Sequence, residues 1–189
     1  MEAVLTVLGV LLGVLLLLGL WVIILYNLLV KLRNHVDESW SDIDTELKRR
    51  HDLIPNLVET VKGYAAHEKN VLERVVRARQ AAMAQHNSPA ELARDENELV
   101  GGLRQLFAVA EGYPVLKANE NFLHLQQELI NTEDRVQRAR RFYNANVRDL
   151  NTKIDVFPSN VIARMFTFGK REFFEIESAD FRQPPAVKV

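Results

Sequence analysis

The side chains with the widest chemical scope here are histidine, aspartate and glutamate, because the chain contains no cysteine and so offers neither a thiolate nor a disulfide framework. The histidines are His35, His51, His67, His86 and His124. Di-iron sites in helix bundles take a Glu-x-x-His pair from each of two helices. The residues three places before these histidines are Leu32, Lys48, Tyr64, Met83 and Asn121, none of them an acid. His67-Glu68 begins like a zinc-protease motif, but Val71 stands where the second histidine is needed. The sequence has no phosphate-cradling G-x-x-x-x-G-K-[ST], no dinucleotide G-x-G-x-x-G, no nucleophile-elbow G-x-S-x-G and no evident Ser–His–Asp arrangement. On this reading there is no catalytic, cofactor-binding or metal-ligating residue to name, and no cofactor is expected.

Two polar clusters remain. Lys48-Arg49-Arg50-His51-Asp52, with Asn56 and Glu59 one turn on, has the composition to meet anionic headgroups or a partner's carboxylates. The simpler reading is a solvated helix face plus a buried Arg50 paired with an acid. The second cluster is Asn119-Glu120-Asn121, Glu128, Glu133-Asp134-Arg135, Arg138, Arg140-Arg141, Asn144 and Asn151. Asparagine is a poor helix former. Asn119 and Asn144 lie beside apolar seam positions, where they would bond across to another helix and fix its register. A ligand site between helices is the sharper alternative. The arginines alternate with acids and no aromatics line up for base stacking, so nucleic acid is not an expected partner. The formal net charge of −1 agrees.

The elements that would carry these clusters start with the first thirty residues. From Ala3 to Val30 there is no charged side chain. A helix needs about 20 apolar residues to cross a hydrocarbon core about 30 Å thick, and a backbone in lipid must satisfy its own hydrogen bonds. Residues 1–30 are therefore read as a transmembrane anchor touching the lipid bilayer through residues 3–30. A cleaved signal peptide fits poorly, since Met-Glu precedes the run and no Ala-x-Ala follows. Gly9 and Gly13 form a G-x-x-x-G helix-pairing motif, although glycine is common in membrane helices anyway. Trp21 and Tyr26 suit the headgroup level, and Lys31 and Arg33 follow at once, with only Glu2 and the terminal amine on the other flank. The positive-inside rule puts the N-terminus outside and the rest in the cytoplasm.

Beyond Val30 the apolar residues repeat in steps of four and three: Val36, Trp40, Ile43, Leu47, Ile54, Leu57, Val61, Tyr64, Val71, Val75, Ala78 and Ala82, with Arg50 and Glu68 filling the two gaps. That period is one helix packed on others. Pro55 should kink it, or else break it at His51-Asp52. Ser88-Pro89 with Glu91 starts a second helix running to about Glu111, weakened by Gly101-Gly102. A third follows from Val115 through Phe122, Leu129, Val136, Tyr143, Val147 and Leu150 to Phe157. A short helix over Asn160–Phe166 and an extended tail, ordered where its aromatics dock, complete the chain.

The segments SWSDIDTELKRRHDLIPNLVETVKGYAAHEK, YPVLKANENFLHLQQELINTEDR, ARRFYNANVRDLN, FPSNVIA and FTFGKREFFEIE closely resemble the bacterial LemA family over nearly the whole chain. The resemblance implies a long antiparallel helical bundle on one N-terminal anchor, and no catalytic residue. The expectation is thus an all-α protein: transmembrane anchor 1–30, bundle 31–166 made of three long helices plus a short C-terminal one, and tail 167–189. It is placed in the bacterial inner membrane as a single-pass scaffold or interaction module without catalytic activity. Its bundle face would meet a protein partner or a second copy. The alternative is a membrane-attached enzyme, ligand-binding or sensor domain with a polar site between helices.

Overall fold

The computed structural model describes residues 1–176 and is all-α. Its helices are α1 (Glu2–Tyr64), α2 (Lys69–Ala82), α3 (Pro89–Glu111), α4 (Pro114–Lys117), α5 (Glu120–Asp155) and α6 (Ser159–Met165). Contacts divide the chain into two compact units. Unit 1 is Met1–Glu38 with Ala145–Arg171, and unit 2 is Ser39–Asn144 with the chain from Glu172.

In unit 2 the alternating seam is realised. Ile43, Leu47, Ile54, Leu57 and Val61 of α1 are buried, as are Phe122, Leu129 and Val136 of α5. Trp40 meets Tyr143, Arg50 meets Glu133 and Tyr64 meets Asn119, so contacts advance along α1 as they retreat along α5. The two helices therefore run antiparallel here. α2 and α3 form a second antiparallel pair. Arg74 donates to Gln105 at 3.0 Å, and a Cβ on Gly102 would sit 3.3 Å from the Val75 side chain. Gly102 thus allows close approach of the pair, a reason for glycine that helix propensity alone conceals.

The helix through Pro55 is continuous, as the unbroken phase of its seam implied. It ends earlier than expected, at Tyr64. Residues 65–68 turn the chain, and Val71, Val75, Ala78 and Ala82 belong to the separate α2. Glu68 interrupts the seam because it is the N-cap residue of α2 and receives the Tyr113 hydroxyl at 3.2 Å. The expected third helix is also cut. Asn119 Oδ1 accepts the Phe122 backbone N–H at 3.0 Å, the geometry of a helix N-cap, so α5 starts at Glu120. Val115 and Phe157, assigned to the seam by spacing, lie outside α5 and are exposed. Ser88 does cap α3, with Pro89 in the first turn.

In unit 1, Leu29 and Val36 of α1 and Val147 and Leu150 of α5 are buried. Asn146 donates to the His35 carbonyl at 3.3 Å. α6 ends in a Schellman motif: the Phe168 N–H reaches the Ala163 carbonyl at 2.9 Å and the Thr167 N–H reaches that of Arg164 at 3.3 Å. Thr167 supplies the left-handed residue (φ 56°) that this closure requires. The closure delivers Phe166 and Phe168 to Tyr26, at ring-centroid distances of 4.8 and 5.8 Å.

From Arg171 to Ile176 the chain has no regular secondary structure, and Phe174 and Ile176 are buried. The remainder of the expected tail, 177–189, lies outside the described residues.

Candidate functional site

Position 50 falls three residues after Leu47 and four before Ile54, so helical geometry turns Arg50 into the unit 2 core. Its side chain is 1% exposed. α3 supplies Glu96, which stands on that helix's own apolar line between Leu92 and Leu99 and is fully buried. α5 supplies Glu133, beside the buried Thr132. Arg50 Nη1 donates to Glu96 Oε2 at 2.9 Å, and Arg50 Nη2 donates to Glu133 Oε2. His51 Nε2 lies 2.7 Å from Glu96 Oε1, so both oxygens of that carboxylate are engaged. Gln137 Nε2 reaches Glu133 Oε1 at 3.5 Å.

Each buried ion costs several kcal/mol in lost hydration, and only close pairing offsets that cost. Sliding any one of α1, α3 and α5 by a turn, about 5.4 Å, would unpair a buried charge. The cluster therefore acts as a register key among three helices. Arg50, His51, Glu96 and Glu133 are all buried. Among the described residues no three His, Asp or Glu side chains form a group that could hold a metal ion.

Proline at 55 leaves the His51 carbonyl without its helical N–H donor. Arg79 of α2 fills the vacancy, its Nε donating to His51 O at 2.7 Å. Arg50 and His51 thus tie α1 to α3 through side chains, while the carbonyl of His51 ties it to α2. The rest of the first polar cluster is solvated: Lys48, Arg49, Asp52, Asn56 and Glu59 are exposed, and Arg49 pairs locally with Glu46 at 3.0 Å.

The second polar cluster does something that its spacing does not show. Asn144 grips a backbone rather than another helix. Its Nδ2 donates to the Phe174 carbonyl at 3.0 Å and its Oδ1 accepts the Phe174 N–H at 2.9 Å. Tyr143 donates to the Glu172 carbonyl at 2.9 Å, and Arg140 donates to that of Ile176. Phe174 then packs edge-on to Trp40 at 5.4 Å, and Tyr143 flanks the same indole at 5.2 Å. Trp40 therefore meets α5 at Tyr143. In unit 1, Asn151 makes the same two-bond grip on Arg171, both bonds at 2.9 Å.

Outside the core, α1 and α5 border an open groove of about 500 Å³ lined by Asp42, Thr45, Glu46, Arg135, Arg138, Ala139 and Phe142. Phe142 is 57% exposed, a large aromatic presented to solvent between charges of both signs. Asp95 and Tyr113 depart from their ordinary behaviour. The hydrogen bond from His86, aided by Arg94, holds the Asp95 carboxyl below its usual range against the opposing effect of burial. Burial and the Glu68 carboxylate push the Tyr113 phenol up.

No motif marks Glu96, because an acid alone carries none. Its position on an apolar line was the available signal. Nothing local marks Arg79, which matters only because Pro55 sits four residues beyond His51.

Fold and site together define an all-α bundle protein whose conspicuous charges hold its helices in register. The LemA family model matches residues 39–189, and the chain belongs to the LemA family. Among curated relatives, magnetosome proteins MamQ 2 and MamQ 1 of Paramagnetospirillum magneticum are each 24% identical over 179 residues, covering 82% of this chain and 66% of their own length. Protein LemA of Metamycoplasma hominis is 28% identical over 160 residues, covering 82% of this chain and 72% of its own. The chain thus spans just under two thirds of the MamQ proteins it matches.

Proposed function

We propose that this chain is a single-pass, membrane-anchored scaffold or interaction module of the bacterial inner membrane, with no catalytic activity. The observation that carries this reading is the fate of its converging charges. Arg50, Glu96, Glu133 and His51 are enclosed in a leucine-rich core and spent on one another, where a substrate would need access. In this reading α1 crosses the bilayer. Among the described residues it is the one helix long and apolar enough to do so, and its most apolar stretch is not buried by the rest of the protein. Lys31 and Arg33 at one end of the run support an outside N-terminus and a cytoplasmic bundle.

The groove beside Phe142 is the docking face. An exposed aromatic flanked by Arg135 and Arg138 on α5 and by Asp42 and Glu46 on α1 suits a helix carrying an apolar stripe and mixed charge. The occupant is another membrane protein or a second copy of the chain. A photo-crosslinking amino acid at position 142 in intact cells should give a discrete adduct, while the same group at the exposed Glu73 of α2 should not. Equal labelling from both positions, or none from 142, would reject the docking face.

A further inference from the structure

Unit 1 carries an apolar surface that packing within the unit leaves uncovered. Val156, Phe157, Val161, Met165 and Phe166 are exposed, Phe157 to 80%, while Ile162 and Ala163 of the same short helix are buried. α6 is therefore apolar on both sides, one turned inward and one outward. Its height along α1 is fixed by Tyr26, whose ring packs on Phe166 and Phe168. Tyr26 lies within the charge-free run, four residues before its end at Val30.

The run from Ala3 to Val30 is about 42 Å long at ~1.5 Å per residue, against a hydrocarbon core about 30 Å thick. The excess of roughly eight residues must traverse the headgroup zone, where tyrosine rings settle. Burial along α1 changes at the corresponding place. All side chains from Met1 to Trp21 are exposed, Val22, Leu25 and Leu28 are half-buried, and Leu29 is fully buried. Protein thus begins to cover α1 about where the hydrocarbon core would end, and the uncovered face of α6 stands at that level.

We propose that the α6 turn, residues 156–166, is a second membrane contact, a wedge lying in the headgroup–acyl boundary of the bilayer that α1 crosses. The inference rests on the membrane-crossing reading of α1. Its ligand is an anionic phospholipid surface. Exposed Arg33 and Arg164 border the apolar face, and the Arg33 guanidinium stands 5.5 Å over the Phe168 ring. Apolar side chains with cations beside them are the composition that binds in an interface plane. The wedge gives the chain a fixed tilt and rotation at the surface, which one helix alone does not supply.

The chain has no cysteine, so each introduced one is unique. Full-length protein with a nitroxide at Leu16→Cys, Phe157→Cys, Met165→Cys or Glu73→Cys is reconstituted in phosphatidylethanolamine–phosphatidylglycerol vesicles. Collision rates with oxygen and with a water-soluble nickel chelate then report depth. The expected oxygen-to-nickel ratio is highest at 16, several-fold above the position 73 value at 157 and 165, and lowest at 73. A deep position 16 with 157 and 165 matching 73 overturns the wedge and leaves the anchor standing. Protection of 157 and 165 from both reagents overturns it in favour of a protein partner. A solvated position 16 overturns anchor and wedge together.

Discussion

The bond from Arg79 to the His51 carbonyl should be worth far more while Pro55 is present than after it is replaced. In the native chain His51 O has no N–H from position 55 and takes the Arg79 Nε at 2.7 Å. A hydrogen bond with a charged partner contributes about 1.5–3 kcal/mol, and this one is only half-buried, so Arg79→Met should cost about 1.5–2 kcal/mol. Methionine keeps most of the apolar stem, so the loss is mainly the bond. In a Pro55→Ala background the new amide bonds His51 O along the helix, and losing Arg79 then removes a second donor, at about 0.5 kcal/mol. The expected coupling is about 1–1.5 kcal/mol, well above the ~0.5 kcal/mol scatter of independent sites. Pro55→Ala alone should be neutral or stabilising, because α1 is already continuous through that position. Of the two tryptophans, Trp21→Phe leaves Trp40 as the sole reporter of unit 2. Urea unfolding of the four variants in mild detergent, followed by its fluorescence, supplies the cycle. Additive effects would refute the claim that Arg79 substitutes for the missing proline donor, and a strongly destabilised Pro55→Ala would refute the account of the helix itself.

The register key predicts asymmetric mutational costs. Arg50→Met strands two buried carboxylates and should cost about 3–5 kcal/mol, while the triple change Arg50→Met, Glu96→Leu, Glu133→Leu should recover most of it in the same urea melt. The adjacent glycines should part company. Gly101→Ala meets nothing within 4 Å and should raise the unfolding free energy by about 0.5–1 kcal/mol, whereas Gly102→Val must press on Val75 of α2 and should lower it. Asp95 titrates below its ordinary 3.8 when folded, so the unfolded chain binds the proton first. Its contribution is complete above that value and is lost as pH falls through the lower folded value. Between about pH 5 and 3 the melting temperature of Asp95→Asn should therefore fall less steeply than that of the native chain.

Helical class and antiparallel pairing were legible because the apolar spacing is strict and continues through Pro55. What spacing could not show is where a helix stops when the seam runs on. The Tyr64 terminus and the Asn119 cap both fall inside unbroken apolar periodicity, and local hydrogen bonds decide each. Arg50 announced itself by occupying a core position, and Glu96 carried the same signal on α3. The Asn144 grip was hidden because its partner is a backbone thirty residues on, with no side-chain pattern to read. Phe174 belongs to the tail expected to be ordered where its aromatics dock, and it is buried beside Trp40.

The claim that one N-terminal helix holds a folded helical domain at the membrane is tested most directly by alkaline extraction of cells expressing the chain with and without residues 1–30. Carbonate strips peripheral proteins, including any held by α6 alone, and leaves integral ones. The full chain should stay in the membrane pellet, and the shortened chain should appear in the supernatant with a strongly helical circular dichroism spectrum. Release of the full chain, retention of the shortened one, or loss of helix on shortening would contradict the account.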